Sequence, residues 1–299
     1  MNTNKIKFFI KIIIGVIFII SSIFKLNSID DFEIYIFGLQ YFSLNTSFVL
    51  ARIIIGGELF LGIMLLLNIY KSIIYITLCL LILFTLFLFN KIILGNTENC
   101  HCFGETIILN PFQSVIKNII LIIGLLWIKK SNFFTIKFKK NITAIFLLFS
   151  FAIPNIASPP DFLYYQEYEH YATYNKEAFA EFFASEINYK KKDKTIICFL
   201  STGCKYCKLT AKKIVSISEK HNINKDYILF VFSESNNIEE FRNETKTKEI
   251  PFIQLPKKQL FRLTDGGVPL IVLHKNEVVH TFIYRNIDEQ KIKDFISNN

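Results

Sequence analysis

Four of the six cysteines in this 299-residue chain stand in two close pairs. Cys204 and Cys207 form a C-x-x-C pair, and Cys100 and Cys102 form a C-x-C pair around His101. Close pairs of this kind are typical of redox or metal chemistry, whereas a secreted disulfide scaffold of this length would need more cysteines. The residue types therefore point to thiol–disulfide exchange or to the binding of a soft metal.

The C-x-x-C pair lies where a helix is predicted to begin. The preceding run, 195–201, is short, apolar and rich in β-branched and aromatic residues, which predicts a buried strand. A thiol at a helix N-terminus lies near unpaired N–H groups and the positive end of the helix dipole. We therefore expect a lowered pKa and a reactive thiolate at Cys204. The alternative is half of a zinc site, but no second C-x-x-C or His pair at ligand spacing follows.

The C-x-C pair permits three interpretations. A disulfide across one intervening residue closes a tight ring, and strained disulfides tend to be oxidising and labile, which favours a redox-active pair. Cys100, His101 and Cys102 are also ligand types that suit zinc or copper, although no second Cys/His cluster lies nearby. The third interpretation is two unpaired buried thiols. Cys79 falls inside an apolar segment and is expected to be inert.

Apolar segments long enough to span a bilayer fill the first 160 residues, since a spanning helix needs about 20 residues. The predicted spans are Phe8–Phe24, Phe48–Tyr70, Ile73–Leu94, Phe112–Ile128 and Ile142–Ile156. The first span ends without a small-residue cleavage site, so we expect it to be retained rather than removed as a signal peptide. The chain is thus expected to be a multi-pass membrane protein.

The loop charges predict the orientation. Residues 1–160 carry +7 of the net charge of +9. With a cytoplasmic N-terminus, the inner flanks carry nine lysines and no acid, namely Lys5, Lys7, Lys11, Lys71, Lys129, Lys130, Lys137, Lys139 and Lys140. This positive-inside pattern in the cell (inner) membrane leaves the C-terminal half extracytoplasmic, in the periplasm or its equivalent, and the C-x-C loop on the same side. Because the basic excess flanks apolar segments, it indicates the lipid bilayer as partner and not nucleic acid.

Two ionisable residues in the second predicted span are candidates for cofactor binding. Arg52 lies near the outer end, where it is expected to snorkel to the lipid headgroups. Glu58 lies deeper, and a carboxylate inside a membrane is a functional-site candidate, with a structural hydrogen bond to a neighbouring helix as the equally weighted alternative. The pair Gly56-Gly57 and Gly62 are expected to let another helix approach closely.

The membrane half resembles the MauE/DoxX family of redox-associated membrane proteins over residues 5–130. The resemblance is carried by four spans, by the Arg52…Gly56-x-Glu58…Gly62 pattern and by the Cys100-x-Cys102-Phe103-Gly104 loop. It implies electron transfer and disulfide handling during the maturation of exported enzymes. That role would rest on Cys100 and Cys102, with Arg52 and Glu58 in support.

The C-terminal half resembles thioredoxin-like proteins over residues 176–299. The order of elements carries this resemblance: a helix over Lys176–Tyr189, the strand and C-x-x-C helix, a strand over Tyr227–Ser233, a Val268-Pro269 turn, a hairpin (270–274 and 277–282) and the helix Ile287–Ser297. It implies that Cys204 attacks, that Cys207 resolves, and that Pro269 forms a cis-proline turn beside them. The buried acid that thioredoxins place six residues before the first cysteine is replaced here by Cys198.

Together these features predict a membrane α-helical bundle, four MauE/DoxX-like helices plus a fifth span, followed by an α/β thioredoxin-like domain. The expected domains are 1–130, a basic inner loop with the fifth span at 131–160, and 161–299. The expected function is a membrane-bound thiol–disulfide oxidoreductase that exchanges with exported cysteine-containing proteins and with the loop pair. The alternative is a non-catalytic factor for soft-metal handling or for the maturation of exported redox enzymes. By analogy with vitamin K epoxide reductase homologues fused to thioredoxin domains, a quinone is the candidate terminal acceptor, although the additional membrane cysteines of those fusions are missing here.

Overall fold

The chain folds into two compact units. A computed structural model describes residues 3–95, 97–129, 137–185 and 193–297. The first unit comprises Met1–Tyr35 and Phe48–Pro159, and the second comprises Ile36–Ser47 and Pro160–Asn299. Lys130 of the predicted inner flank and the end of the predicted helix Lys176–Tyr189 lie outside the described residues.

The N-terminal half of the chain is helical. Its elements are α1 (Thr3–Asn27), α2 (Ile29–Phe37), α3 (Leu44–Leu67), α4 (Lys71–Ile93), β1 (Cys102–Glu105), α5 (Pro111–Ile128) and α6 (Lys139–Ala157). Among the described residues, five helices are long and apolar enough to cross a membrane, which are all of these except α2. The five predicted spans are thereby confirmed, and the chain is a multi-pass membrane protein.

Glycines set the distance between the membrane helices. A Cβ on Gly62 would lie 2.7 Å from Ile19 Cγ1 and 2.8 Å from the carbonyl oxygen of Gly15, so α1 and α3 approach closely here. A Cβ on Gly56 would lie 3.0 Å from a carbonyl oxygen of α6, whereas one on Gly57 would meet nothing within 4 Å. The prediction of close helix approach is confirmed at Gly56 and Gly62 but is wrong for Gly57, which faces open space.

The second unit contains a mixed five-stranded sheet. Its helices are α7 (Tyr165–Glu169), α8 (Lys176–Ser185), α9 (Lys205–Lys220), α10 (Ile238–Thr245), α11 (Lys257–Leu263) and α12 (Glu289–Ser297). Its strands are β2 (Thr195–Leu200), β3 (Ile228–Ser233), β4 (Phe252–Leu255), β5 (Leu270–Lys275) and β6 (Glu277–Phe282). The strand order is β4-β3-β2-β5-β6, with β2, β3 and β4 parallel and β5 antiparallel to both of its neighbours.

The interior strands β2 and β3 are buried along their whole length because both faces of the sheet are covered. Every residue of β2 and β3 is buried, as expected for strands without a solvent face. On one face, Phe179 and Phe182 of α8 pack edge-to-face on Phe199 of β2, with ring centroids 5.3 and 6.3 Å apart. This packing fixes β2, and with it the turn that leads into α9.

Candidate functional site

Cys204 occupies the N-cap position of α9. Its backbone is extended (φ −91°, ψ 120°), and its Sγ accepts a hydrogen bond from the backbone N–H of Cys207 over 3.2 Å. The sulfur thus takes the place that a Ser, Thr or Asp oxygen usually fills at a helix start. β2 ends at Leu200, so the strand and the helix hold this position from both sides.

The two thiols of this pair differ in their acidity. A hydrogen bond from the Cys207 side chain and others from the backbone N–H groups of Cys207 and Tyr206 outweigh partial burial and lower the pKa of Cys204 to about 6. Burial, followed by the hydrogen bond to Cys204, raises the pKa of Cys207, whose side chain is fully buried. The arrangement can therefore supply a half-exposed thiolate at Cys204 with a protonated thiol behind it.

The proline turn lies beside the first cysteine. The Val268–Pro269 peptide bond is cis, as the resemblance to thioredoxin-like proteins implied. Cys204 Sγ lies 4.0 Å from the carbonyl oxygen of Val268. Residues 64 positions apart in the chain are thus brought together by the packing of β2 against β5, in which Phe199 pairs with Leu270.

Cys198 takes no part in the hydrogen bonding of the dithiol that the structure describes. It is fully buried in the middle of β2, opposite Phe230 and Ile271, and burial raises its pKa. Cys207 Sγ accepts a hydrogen bond from the backbone N–H of Ser201 over 3.3 Å instead. Cys198 therefore behaves as a small apolar core residue.

A buried charge cluster under α9 was not predicted from the sequence. Asp161 is buried, its Oδ1 lies 2.9 Å from Arg285 Nη1, and its Oδ2 lies 3.7 Å from Lys213 Nζ. Lys213 also donates to the carbonyl oxygen of Tyr284 over 3.1 Å. The Tyr284 ring in turn lies 5.2 Å from that of Tyr206, which stands between the two cysteines. The only sequence signal for this cluster was a lysine on the apolar face of α9.

A cavity of about 400 Å³ adjoins the proline turn. Four of its thirteen lining residues are tyrosines, namely Tyr168, Tyr171, Tyr206 and Tyr284, and Val268 and Pro269 also line it. Tyr168 belongs to α7, which lies in the connector between α6 and α8 (residues 158–175), where no helix was predicted from the sequence. The connector thus supplies one wall of a recess beside the dithiol.

The structure joins Cys100 and Cys102 in a disulfide. Both sulfurs are buried, and both lie near the hydroxyl of Ser114, with Oγ 2.9 Å from Cys100 Sγ and 3.2 Å from Cys102 Sγ. Ser114 lies in the first turns of α5, which begins at a capping box between Asn110 and Gln113. Within the described residues, no group of three or more His, Cys, Asp or Glu is arranged to hold a metal ion.

The loop packs closely on the end of α1. Gly104 has φ +59°, and a Cβ there would lie 2.2 Å from Ser28 Oγ and 2.7 Å from the carbonyl oxygen of Phe24. The hydroxyl of Ser21 donates to the carbonyl oxygen of Cys102 over 2.7 Å. Gly104 is therefore the residue that lets β1 lie against α1.

Glu58 lies in the same hydrogen-bond network as this loop. Lys25 Nζ lies 2.5 Å from Glu58 Oε1, and Ser21 Oγ lies 3.0 Å from Glu58 Oε2. Glu58 thus forms hydrogen bonds to a neighbouring helix, which is the structural role predicted as the alternative to a functional one. The side chain of Ser21 lies between Glu58 and the backbone of Cys102. Its role in cofactor binding stays a prediction.

Arg52 does not snorkel, and that expectation is corrected. Its side chain is buried, because Nη1 pairs with Glu33 at 2.5 Å and Nε donates to the carbonyl oxygen of Ser158 over 2.9 Å. Glu33 is itself only 1% exposed. The counter-charge from α2 therefore removes the need for the guanidinium to reach the headgroups. This pair was not predicted from the sequence because Glu33 lies outside the predicted spans, in α2.

Fold and site together define a class of protein. Five apolar helices form a membrane region, and the mixed sheet with its helices forms an α/β domain that carries a dithiol at a helix start, consistent with the thioredoxin-like fold predicted from the sequence. Residues 3–129, which contain the first four of the five apolar helices, match the family described as Methylamine utilisation protein MauE.

Among curated proteins, the chain is similar to Protein TlpB of Flavobacterium psychrophilum, with 39% identity over 153 residues. The match covers 46% of this chain and 42% of that protein, so this chain spans less than half the length of the relative it matches. No solved structure matches the chain.

Proposed function

We propose that this chain is a membrane-bound thiol–disulfide oxidoreductase whose Cys204–Cys207 pair exchanges with cysteine-containing proteins. One observation carries the proposal. Cys204 is the half-exposed N-cap of α9 with a pKa lowered to about 6, and Cys207 is buried one turn behind it. An exposed thiolate backed by a protonated thiol is what two-step disulfide exchange requires.

The exchange proceeds through a mixed disulfide. The Cys204 thiolate attacks one sulfur of a partner disulfide, a new S–S bond forms, and the partner's other sulfur leaves as a thiolate. Cys207 then loses its proton and attacks Cys204, which releases the partner as a dithiol and leaves a Cys204–Cys207 disulfide. Two electrons pass to the partner, and the reverse sequence passes them back. The relative reduction potentials of the two pairs decide the net direction.

The recess beside Pro269 supports a polypeptide partner. Its four tyrosines and its volume of about 400 Å³ suit a side chain of an extended segment that approaches Cys204. The positive-inside charge pattern favours an extracytoplasmic position for residues 161–299, so we infer that the partners are exported proteins.

We further infer that the loop pair is the internal exchange partner. The loop cysteines form a disulfide, and the charge pattern favours the same side of the membrane for both pairs. In this scheme residues 1–130 form the electron-transfer domain, residues 131–160 contribute the fifth span, and residues 161–299 form the exchange domain.

Trapping the mixed disulfide tests the proposed function. Cys207→Ser keeps a hydroxyl donor beside Cys204 but removes the resolving thiol, so adducts between Cys204 and other proteins should accumulate and disappear on reduction. Cys204→Ser combined with Cys207→Ser is the matched control and should form none. Non-reducing electrophoresis followed by mass spectrometry detects the adducts. Absence of adducts from the Cys207→Ser chain would show that Cys204 is not a working nucleophile toward proteins.

A further inference from the structure

The two sulfurs of the loop disulfide stand in unequal surroundings. Cys100 Sγ accepts a hydrogen bond from the Ser114 hydroxyl over 2.9 Å and a second from the backbone N–H of Cys102 over 3.3 Å. Cys102 Sγ has the longer contact with the same hydroxyl, 3.2 Å. A hydroxyl has one proton, and a disulfide sulfur can only accept it, so the proton serves one sulfur at a time.

We propose that Ser114 is a catalytic residue of the loop: its hydroxyl stabilises Cys100 as the leaving thiolate, so that an incoming thiolate attacks Cys102. A thiolate forms stronger hydrogen bonds than a disulfide sulfur does, because the acceptor carries a full charge. Two donors already in place at Cys100 therefore favour cleavage that leaves the charge there. The lower its energy as a thiolate, the faster Cys100 leaves.

The surroundings of the loop favour the same outcome. Ser114 lies in the first turns of α5, near the positive end of that helix's dipole. The hydroxyl of Ser21 holds the carbonyl oxygen of Cys102 over 2.7 Å, which keeps the attacked residue in place.

The loop disulfide is opened in two exchange steps. A thiolate donates an electron pair to Cys102 Sγ, the Cys100–Cys102 bond breaks, and its electron pair stays on Cys100. The product is a mixed disulfide at Cys102 and a thiolate at Cys100. A second thiol of the donor then releases Cys102, so that the loop gains two electrons and becomes a dithiol, while the donor becomes a disulfide. That the donor is Cys204 with Cys207 rests on the proposed function, but the choice of Cys102 and the role of Ser114 do not.

A small thiol can therefore test the inference without the dithiol domain. The full chain carrying Cys204→Ser and Cys207→Ser is first treated to block its remaining free thiols, and the loop disulfide is then opened with 2-mercaptoethanesulfonate. After acid quenching and alkylation, fragment-ion mass spectrometry locates the thiol adduct and the alkyl group. We expect the adduct on Cys102 and the alkyl group on Cys100. The reverse pattern, or an even mixture, would overturn the assignment, and this readout needs no substitution in the loop or in α5.

Substitution of Ser114 measures the contribution of its hydroxyl. A hydrogen bond to a charged group contributes enough that Ser114→Ala should slow the opening about tenfold and weaken the preference for Cys102. Ser114→Thr, which keeps a hydroxyl, should retain the preference. The matched control is Ser150→Ala, since Ser150 is a buried serine of α6 whose hydroxyl makes no hydrogen bond within the described residues. Equal opening rates in Ser114→Ala and Ser150→Ala would show that Ser114 only fills space.

Discussion

In each cysteine pair of this chain, one sulfur lies among hydrogen-bond donors that would stabilise it as a thiolate. At Cys204 the donors are the Cys207 thiol and the backbone N–H groups at the start of α9. At Cys100 they are the Ser114 hydroxyl and one backbone N–H. The first arrangement could be predicted from the sequence, because C-x-x-C before a helix places the first sulfur at the N-cap. The second could not, because the contact of Ser114 with the loop cysteines depends on how the chain turns between the loop and α5.

The acidity of Cys204 gives a pH-dependent prediction. Its pKa is lowered from an ordinary value of 9.0 to about 6, so the thiolate fraction and the alkylation rate should rise between about pH 5 and 7 and then level off. Cys207→Ala removes the largest cause, the side-chain hydrogen bond, and should move the midpoint upward by about one pH unit. Cys207→Ser keeps a donor and is the control. Rates of iodoacetamide labelling at Cys204, resolved by mass spectrometry, give both midpoints, and identical midpoints would contradict this account.

Helices and strands were largely predictable, because their apolar patterns are strong. The five spans, β2, β3, α9, the β5–β6 hairpin and α12 were all expected within a few residues of their observed bounds. β4, α10 and α11 were not. β4 is an edge strand with two exposed residues out of four, so it has no continuous apolar run, and α10 and α11 are only 8 and 7 residues long. Short elements of this kind depend on tertiary packing more than on local pattern.

The close contact between α1 and α3 predicts that a methyl group added at Gly62 destabilises the membrane unit. A methyl group on Gly62 would meet a carbonyl oxygen of α1 at 2.8 Å, and backbone cannot move aside cheaply. Gly62→Ala should therefore destabilise the membrane unit by about 1–3 kcal/mol. Gly57→Ala is the matched control, because Gly57 lies in the same helix and its Cβ would meet nothing within 4 Å. Thermal unfolding in detergent should show a lower midpoint for Gly62→Ala alone. Equal midpoints for both variants would mean that α1 and α3 are not packed this closely.

Charge and hydropathy divide the chain into a membrane half and a half without apolar spans, and each half carries one cysteine pair. Residues 1–160 hold the apolar helices and +7 of the net charge, while residues 161–299 are nearly balanced at +2. Composition therefore predicted the membrane half, and the order of elements after it predicted the α/β half. Neither could predict buried pairs such as Arg52 with Glu33, because the two residues belong to different helices and only packing shows which acid meets which base. The charge pattern also implies one orientation.

The orientation can be tested by labelling. If the N-terminus is cytoplasmic, Cys204 faces the outside, and a maleimide that cannot cross membranes should label it in intact spheroplasts after mild reduction. Cys204→Ser identifies the signal as belonging to that residue. An N-terminal tag should resist protease under the same conditions and become sensitive once the membrane is broken. Protection of Cys204 until lysis would reverse the orientation and remove exported proteins as partners.

Electron transfer between the two cysteine pairs can be tested with two double variants. If the pairs exchange and Cys102 is the attacked sulfur, Cys100→Ser with Cys207→Ser should leave Cys102 and Cys204 to form an intramolecular disulfide in the presence of a small oxidised disulfide. A tethered partner thiol acts at an effective concentration that is roughly millimolar for a short linker, so this bond should form ahead of intermolecular adducts. Cys102→Ser with Cys207→Ser, which leaves Cys100 and Cys204, is the matched comparison and should form the bond less readily.

Mass spectrometry of the digested double variants tests two ideas separately. The first is electron transfer between the two cysteine pairs (the relay), and the second is that Cys102 is the attacked sulfur. A bond at Cys102 but not at Cys100 supports both the relay and the sulfur assignment. A bond at Cys100 alone keeps the relay and overturns the assignment, because the leaving sulfur would then be the one that meets Cys204. If neither variant forms a bond while Cys204 still traps other proteins, the relay is wrong and the thiol exchange stands. The Cys100–Cys102 pair would then be expected to exchange with a different partner, since the buried disulfide and the Ser114 contact do not depend on the C-terminal unit.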